Sequence, residues 1–453
     1  MPVELTVDAP RLPATGANTH AQRLRQLLGA VVGDVRPGEL GLVASMLASL
    51  FLLLTAYYVL KTVREPLVLA SGSAELKSYA AAGQAVALLA YVPAYSWLAA
   101  RVQRRTLITW LLALFTLQIE LFAIALGTSV AFLGFAFYVW VGLFSLATIA
   151  QFWSYAADVL SRDVGERLFP VIAIGATVGS PVGALLAQSL FSAGVPMPVM
   201  LHLAAAVVVV HLAFYWLTER SLSATPAPSV AASNEPRPRG GFALVWSSPY
   251  LRWLAAFLLL LNVANTLGEY IISRSVLDRA ADAVARGDAR TVAAYVGAFY
   301  GSYFFWVNTL AVVLQIGVAS RLVKRAGAAG VVLALPIIAL GVYGLVAAGV
   351  AFAALRWAKT LENATDYSLM NTGRQLLWLP TSRNEKYAAK QAIDTFVVRS
   401  GDLVAAGVVA LVATRWQFDV QEVARVNLGV VAVWLVVGLI AVRAYRRLCR
   451  DCP

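Results

Sequence analysis

Apolar residues fill nearly every position for about 18–25 residues at a time, stop at a short polar break, and resume. A run of that length predicts a helix able to cross about 30 Å of hydrocarbon. Twelve such runs recur, at about 41–63, 78–100, 106–127, 131–157, 168–191, 198–217, 250–273, 293–319, 328–350, 352–374, 391–413 and 426–445. The tenth is crowded with polar residues, and its place in a regular series assigns it as a crossing. The pattern predicts an all-α polytopic membrane protein with twelve transmembrane helices.

The breaks carry charge on one side. Arg101, Arg104 and Arg105 follow span two, Arg162 and Arg167 span four, and Arg220, Arg237 and Arg239 span six. Arg321, Lys324 and Arg325 follow span eight, Arg383, Lys386 and Lys390 span ten, and Arg443, Arg446, Arg447 and Arg450 close the chain. The opposite loops are poorer; at 274–290 four arginines are offset by Asp278, Asp282 and Asp288. Because basic loops stay in the cytosol, both termini are expected there, with the chain multi-pass in the inner membrane. A cytosolic segment is expected over 1–40, with a surface helix an option over 24–32 and no secretory signal pattern. The Pro-rich stretch within 218–249 reads as a solvated cytosolic linker between bundles at 41–217 and 250–445, and 446–453 as a cytosolic tail.

Composition agrees: 60% of residues are hydrophobic and 13% charged, against about half and a quarter in soluble domains. The formal net charge is +12, but the basic residues alternate between loops and form no stripe, which argues against a nucleic-acid partner. Two cysteines, Cys449 and Cys452, stand in a terminal C-x-x-C that reads as a reduced cytosolic tail before it reads as half a metal site.

The halves look alike. Ala100 to Arg105 after span two matches Ser320 to Arg325 after span eight, and Ser161-Arg162-Asp163 after span four matches Ser382-Arg383-Asn384 after span ten. Both pairs lie about 220 residues apart. Two six-helix pseudo-repeats around a central cavity is the major-facilitator plan, with the substrate near the membrane midplane. The basic loop after span two is a degenerate form of that superfamily's usual one, lacking its Gly and Asp.

In that plan the first helix of each three-helix unit lines the cavity, and spans 1, 4, 7 and 10 are also the richest in polar residues. Span 1 ends in Lys61, Arg64 and Glu65; a charge near the centre of a spanning helix costs about 2.5–3.5 kcal/mol and so needs a partner, water or a ligand. Span 4 offers Gln151, Trp153, Tyr155 and Asp158, span 7 offers Asn262, Asn265, Glu269 and Arg274, and span 10 offers Lys359, Glu362, Asn363, Asp366 and Arg374. One reading is an anion site: Lys61 and Arg64 on the negative groups, Asn262 and Asn265 adding hydrogen bonds, Trp153 or Tyr155 stacking on a ring. The other makes Arg64–Glu65 and Lys359–Glu362/Asp366 gating ion pairs, or span-end charges reaching the interface. In span 5, Gly175, Gly179 and Gly183 recur every four residues, which favours close helix contact over phosphate binding, since no G-K-S/T accompanies them. Glu120 and Gln118 in span 3 have no assigned role. No metal spacing links His20, His202 and His211, no nucleophile–base pair stands out, and no cofactor is implied. The expectation is a transporter and not an enzyme.

Three segments resemble the nucleotide-transporter family, the ATP/ADP translocases of plastids and intracellular bacteria and their free-living relatives. They are L-K-T-V-R-E-P-L (60–67) with G-S-A-E-L-K-S-Y (72–79); F-W-S (152–154) through E-R-L-F-P (166–170) and Gly175-Ala176; and Y-S-L-M-N (367–371) through R-Q (374–375), L-P-T-S-R (379–383), E-K-Y-A-A-K (385–390) and A-I-D (392–394). The resemblance implies a twelve-helix exchanger acting by alternating access, with ATP/ADP or a related phosphorylated anion as substrate. It places the family's first-helix cation at Arg64. The family's span-4 acid has no counterpart near Val141 and Gly142. Its K-S-G-G lysine falls at Asp402 in Arg399-Ser400-Gly401-Asp402, leaving Arg399, one turn away, as the candidate replacement. These departures separate the chain from the ATP/ADP-exchanging pattern. A monomer in the lipid bilayer is expected, with an organic-anion or drug transporter, or a scaffold on the same fold, as alternatives.

Overall fold

The structure, a computed structural model, describes residues 35–222 and 240–450 apart from Ser71, Ala100, Ser129, Arg383 and Asn384. The expected helix over 24–32, most of the linker and Cys452 lie outside the described residues.

Among the described residues there are helices and turns and no strand. The first half forms α1 (Leu40–Ala70), α2 (Ala74–Ala99), α3 (Arg104–Ala125), α4 (Leu133–Val159), α5 (Arg162–Ser192) and α6 (Met197–Leu222). The second forms α7 (Pro249–Ala285), α8 (Val292–Leu314), α9 (Ser320–Ala347), α10 (352–377), α11 (385–415) and α12 (Val420–Arg450). A short helix, Gly241–Ser247, precedes α7. Among the described residues, nine helices are long and apolar enough to cross a membrane, one of them the 56-residue run Val292–Ala347 that joins α8 to α9. Gly327 bends α9 with a φ of 62°. The helices α2 and α10 are not among the nine. In α10 the cause is polarity, with Arg356, Lys359, Glu362, Asp366 and Arg374 along it, and a wide π-type turn at Asp366–Met370 divides it. The α11 helix carries three such turns, at Glu385–Ala389, Ile393–Val397 and Leu411–Arg415. Isolated turns of this kind spread the backbone and often mark functional segments.

Close helix contact follows from small residues. A Cβ added at Gly175, Gly179 or Gly183 of α5 would fall inside 3.0 Å of a carbonyl oxygen of α1, at Leu47, Phe51 and Thr55 respectively. The glycine repeat therefore lets α5 lie directly on α1, where dispersion contact replaces the hydrophobic force that lipid does not supply. Glu120 and Gln118 have partners too: His202 Nδ1 lies 2.6 Å from Glu120 Oε2, and Trp140 Nε1 donates to Gln118 Oε1 at 2.8 Å.

Ion pairs fasten the basic ends of the helices. Arg167 reaches Glu39 at 2.8 Å, pinning the start of α5 to the segment before α1, and Arg104 and Arg105 both bind the buried Glu219 at the end of α6. The bonds from Arg167 and from the Arg36 backbone hold the Glu39 carboxyl below its ordinary value.

Two large apolar cores result among the described residues. One is formed by α1 and α3–α6 and also takes in Tyr300, Tyr303 and Phe304 of α8. The other gathers α7 and α9–α12. The α8 helix thus belongs to the second half in sequence and joins the first in packing. It rests on α5, and α2 lies against α11. These two contacts frame the space between the halves.

Candidate functional site

The residues from the end of α1 lead into that space. From Thr55 to Leu69 almost every α1 side chain is buried, because α4, α5, α6 and α8 surround the helix. Lys61, Arg64 and Glu65 are therefore enclosed by protein and not by lipid. A cavity of roughly 260 Å³ opens beside them, walled by Tyr57, Lys61 and Arg64 from α1, Lys77, Ser78 and Gln84 from α2, and Tyr138 from α4. From the second half come Asn262, Asn265, Thr266 and Glu269 of α7, Phe304 of α8, Asn363 and Tyr367 of α10, and Arg399 and Asp402 of α11.

Lys61 sits among aromatic rings. Its Nζ lies 4.4 Å from the centre of Phe304, 5.1 Å from Tyr58 and 5.6 Å from Tyr367, and it donates to the Tyr367 hydroxyl at 3.3 Å. Among the described residues no carboxylate stands within 4.0 Å of it. Ring faces attract a cation but do not neutralise it.

Arg64 differs. Its guanidinium lies 4.0 Å over Tyr138 and reaches Glu65 Oε1 at 2.5 Å. Glu65 is fully buried behind the cavity wall, and its other oxygen takes Lys77 at 2.8 Å. Lys77 in turn reaches Glu269 at 3.2 Å and donates to Ser273 at 3.0 Å and Tyr300 at 3.3 Å. Asn363 donates to Glu269 at 3.0 Å and to Tyr303 at 2.8 Å. Lys77 is thus shared between an acid of the first half and an acid of the second. Farther along, Glu75 accepts from Tyr270 at 2.7 Å and pairs with Arg274 at 3.2 Å.

On α11, Asp402 Oδ1 accepts from Asn262 at 2.8 Å and Thr266 at 2.9 Å, and Oδ2 lies 3.6 Å from Arg399. The wall therefore holds four cations, with Glu269 and Asp402 beside them and Glu65 bonded from behind.

Of the residues singled out in the sequence, Lys61, Arg64, Asn262, Asn265, Glu269 and Arg399 line this cavity. Glu65 supports it from behind. Trp153 and Tyr155 lie elsewhere: Trp153 packs on Phe152 and Phe169, and Tyr155 on Tyr215 and under Arg104, toward the end of α4 that bears the basic loop. Neither lines the cavity, where the aromatic side chains are Tyr57, Tyr138, Tyr270, Phe304 and Tyr367. Glu362 is committed to Lys359 at 2.8 Å and to the Tyr343 hydroxyl at 2.7 Å. Asp366 pairs with Arg374 at 3.4 Å. Both acids face a minor space beside Trp434. Sequence reasoning missed Lys77, Ser78, Gln84, Tyr138 and Thr266. Lys77 carried a signal, being a lone lysine at the head of an apolar run, but the run was started at residue 78. The others look like ordinary polar or aromatic residues of a span.

No protein-family model matches the chain. The chain is 22% identical over 307 residues to ADP,ATP carrier protein 1 of Chlamydia muridarum. That match covers 59% of this chain and 56% of the carrier, so the chain spans little more than half the length of that relative. Among solved structures, a mutant of the nucleoside transporter NupG superposes with a TM-score of 0.64 at 15% identity, covering 88% of this chain and 99% of that one. A bacterial homologue of the iron transporter ferroportin, in an inward-facing state, gives 0.64 at 14%, with 89% and 98% covered. A POT family transporter in complex with 5-aminolevulinic acid gives 0.62 at 13%, with 90% and 96% covered. The fold is the major-facilitator type, and the chain is a multi-pass membrane protein. The proteins that share this fold here are transporters of chemically different solutes, so the fold leaves the substrate to the site.

Proposed function

We propose that this chain is a secondary transporter that moves a small organic anion across the inner membrane by alternating access, exchanging a nucleotide or a related phosphorylated solute without hydrolysing it. The observation that carries this reading is the cavity itself: a cation-rich space between the halves in which Lys61 has no acid partner among the described residues. Buried charge of that kind is expensive unless a ligand completes it. The similarity to the ADP,ATP carrier favours nucleotides within the class of organic anions.

Alternating access needs one end held while the other is free. Among the described residues, the side-chain bonds between the halves run from Tyr58–Asn308 and Lys61–Tyr367 up to Lys77–Glu269 and Glu75–Arg274. All lie at the cavity or toward the end away from the arginine-rich loops. With those loops in the cytosol, this is the conformation closed to the outside. Transport then requires Lys77 and Arg274 to let go of Glu269 and Glu75 while α1 and α2 swing from α7. An anion arriving at Arg64 competes with Glu65 for the guanidinium and loosens the same network.

The test uses liposomes that contain the purified protein and unlabelled AMP or ADP, with uptake of labelled AMP, ADP and ATP measured outside to inside. Uptake that depends on internal nucleotide and falls at least about tenfold in Arg64→Ala is expected, since a charge-assisted bond contributes about 1.5–3 kcal/mol. Unchanged uptake by a well-inserted Arg64→Ala protein removes the arginine from the site. No uptake of any nucleotide removes the nucleotide class.

A further inference from the structure

The charges in the cavity can be counted, and the count bears on what fits. Three of the four cations already answer a carboxylate: Arg64 answers Glu65, Lys77 answers Glu65 and Glu269, and Arg399 answers Asp402. Lys61 answers none among the described residues. Its ammonium has three N–H donors and the Tyr367 hydroxyl takes one, at 3.3 Å. Lys61 is otherwise ringed by Tyr57, Tyr58 and Phe304, which attract the ammonium without supplying an oxygen lone pair in their ring faces.

Asp402 is held in place chiefly by neutral donors. Asn262 and Thr266 both donate to one oxygen, at 2.8 and 2.9 Å, and the side chain keeps only 10% of its exposure. Neither donor is charged. The nearest cation, Arg399, stands at 3.6 Å and is about one-third exposed to the cavity. Held there, Asp402 offsets the charge of Arg399 in a site that otherwise attracts anions. A polyanion entering this space therefore finds only Lys61 without a carboxylate among the described residues, and its further charges face the wall acids.

Resting on the transport reading above, we infer that the cavity is built for a solute of about one net negative charge, taken up by Lys61, and that Asp402 sets the limit against more highly charged solutes. Asp402 is a specificity-determining residue in this account and Lys61 the anchor. A solute with further charges is accepted only if a wall carboxylate is neutralised or moves away.

A ladder of ligands that share a base and ribose tests the limit. Cyclic AMP, AMP, ADP and ATP carry about one, two, three and four negative charges near pH 8. Their dissociation constants are read from the ligand-dependent rise in unfolding temperature of the purified full-length protein. Lactate, malate and citrate, of about one, two and three charges, are run in parallel. Wild-type protein should bind the low-charge members best, weakening about tenfold or more per added charge, as expected for charges added to a poorly screened site. In Asp402→Asn, which keeps the shape and removes the charge, the preferred member should move up the ladder. Asp402→Ser is prepared alongside in case the amide disturbs folding. Lys61→Gln should weaken every member.

Tightest binding of ATP or citrate by wild-type protein, or an unchanged order in both Asp402 variants, overturns the charge limit and leaves a nucleotide or carboxylate transporter standing. Binding on the carboxylate ladder alone, weakening with charge, supports the limit and overturns the nucleotide class. No response on either ladder from monodisperse protein overturns both.

Discussion

The first helix of the first half and the fourth helix of the second each carry a buried lysine with an acid one turn on, in different states. In α1, Lys61 is followed one turn later by Arg64 and then Glu65; in α10, Lys359 is followed by Glu362. Lys359 is fully buried and bound at 2.8 Å to Glu362, with Tyr343 donating to that acid from α9. Lys61 is nearly as buried, yet it faces rings and a cavity. A lysine with an acid three residues away makes a local pair that closes on itself. A lysine whose nearby acid is claimed by Arg64 and Lys77 is left for something else. The difference teaches that a buried charge on a cavity helix is structural or functional according to its partner, and the burial alone does not say which.

The largest effect should come from breaking the closed pair. Glu362→Leu leaves Lys359 unpaired in the interior, and a loss of about 3–5 kcal/mol is expected, read as a fall in unfolding temperature and in the monodisperse fraction. Lys61→Met should cost far less, below about 1 kcal/mol, because its charge already lacks an acid among the described residues. Comparable losses for the two would break the contrast. A double variant sharpens it: Lys359→Met with Glu362→Leu should recover most of the stability lost by Glu362→Leu alone, as apolar replacement of a buried pair is commonly near neutral. If it does not, the pair contributes something beyond charge balance.

The effect at Arg64 falls between those of Glu362→Leu and Lys61→Met. Glu65 keeps Lys77 at 2.8 Å when Arg64 is removed, so Arg64→Ala should lose about 1–2 kcal/mol of stability while lowering uptake at least about tenfold. Asp366→Asn should move least. Its pair with Arg374 is long, at 3.4 Å, and the arginine is one-third exposed, so a loss below about 1 kcal/mol is expected by thermal unfolding. A larger loss would place Asp366 with Glu362 among the structural acids.

Much of the frame was legible from periodicity. The apolar runs marked the helices, because lipid forces backbone groups into internal hydrogen bonds and side chains into apolarity. The glycines of α5 announced a close contact, and Gly175, Gly179 and Gly183 do lie against α1. Lys61 and Arg64 announced themselves as charges where lipid forbids them. Trp153 and Tyr155 misled for a physical reason: an aromatic residue on a cavity helix can turn to its neighbours as readily as to the cavity, and helical spacing alone does not fix which way. Lys77 was lost at the edge of a run, since a span's boundary in sequence is blurred wherever a polar residue is enclosed by other helices.

What the sequence by itself determined is therefore the solvent: a membrane-embedded chain of helices with ionisable residues inside. Those follow from composition and period, which are local properties. Only the tertiary structure decided which charges are spent on each other. Glu65 with Lys77, Lys77 with Glu269, and Glu75 with Arg274 join α1 and α2 to one another and to α7 across up to about two hundred residues of chain. Charge pairing depends on distances of a few ångströms between side chains on separate helices, and no spacing along the sequence encodes it.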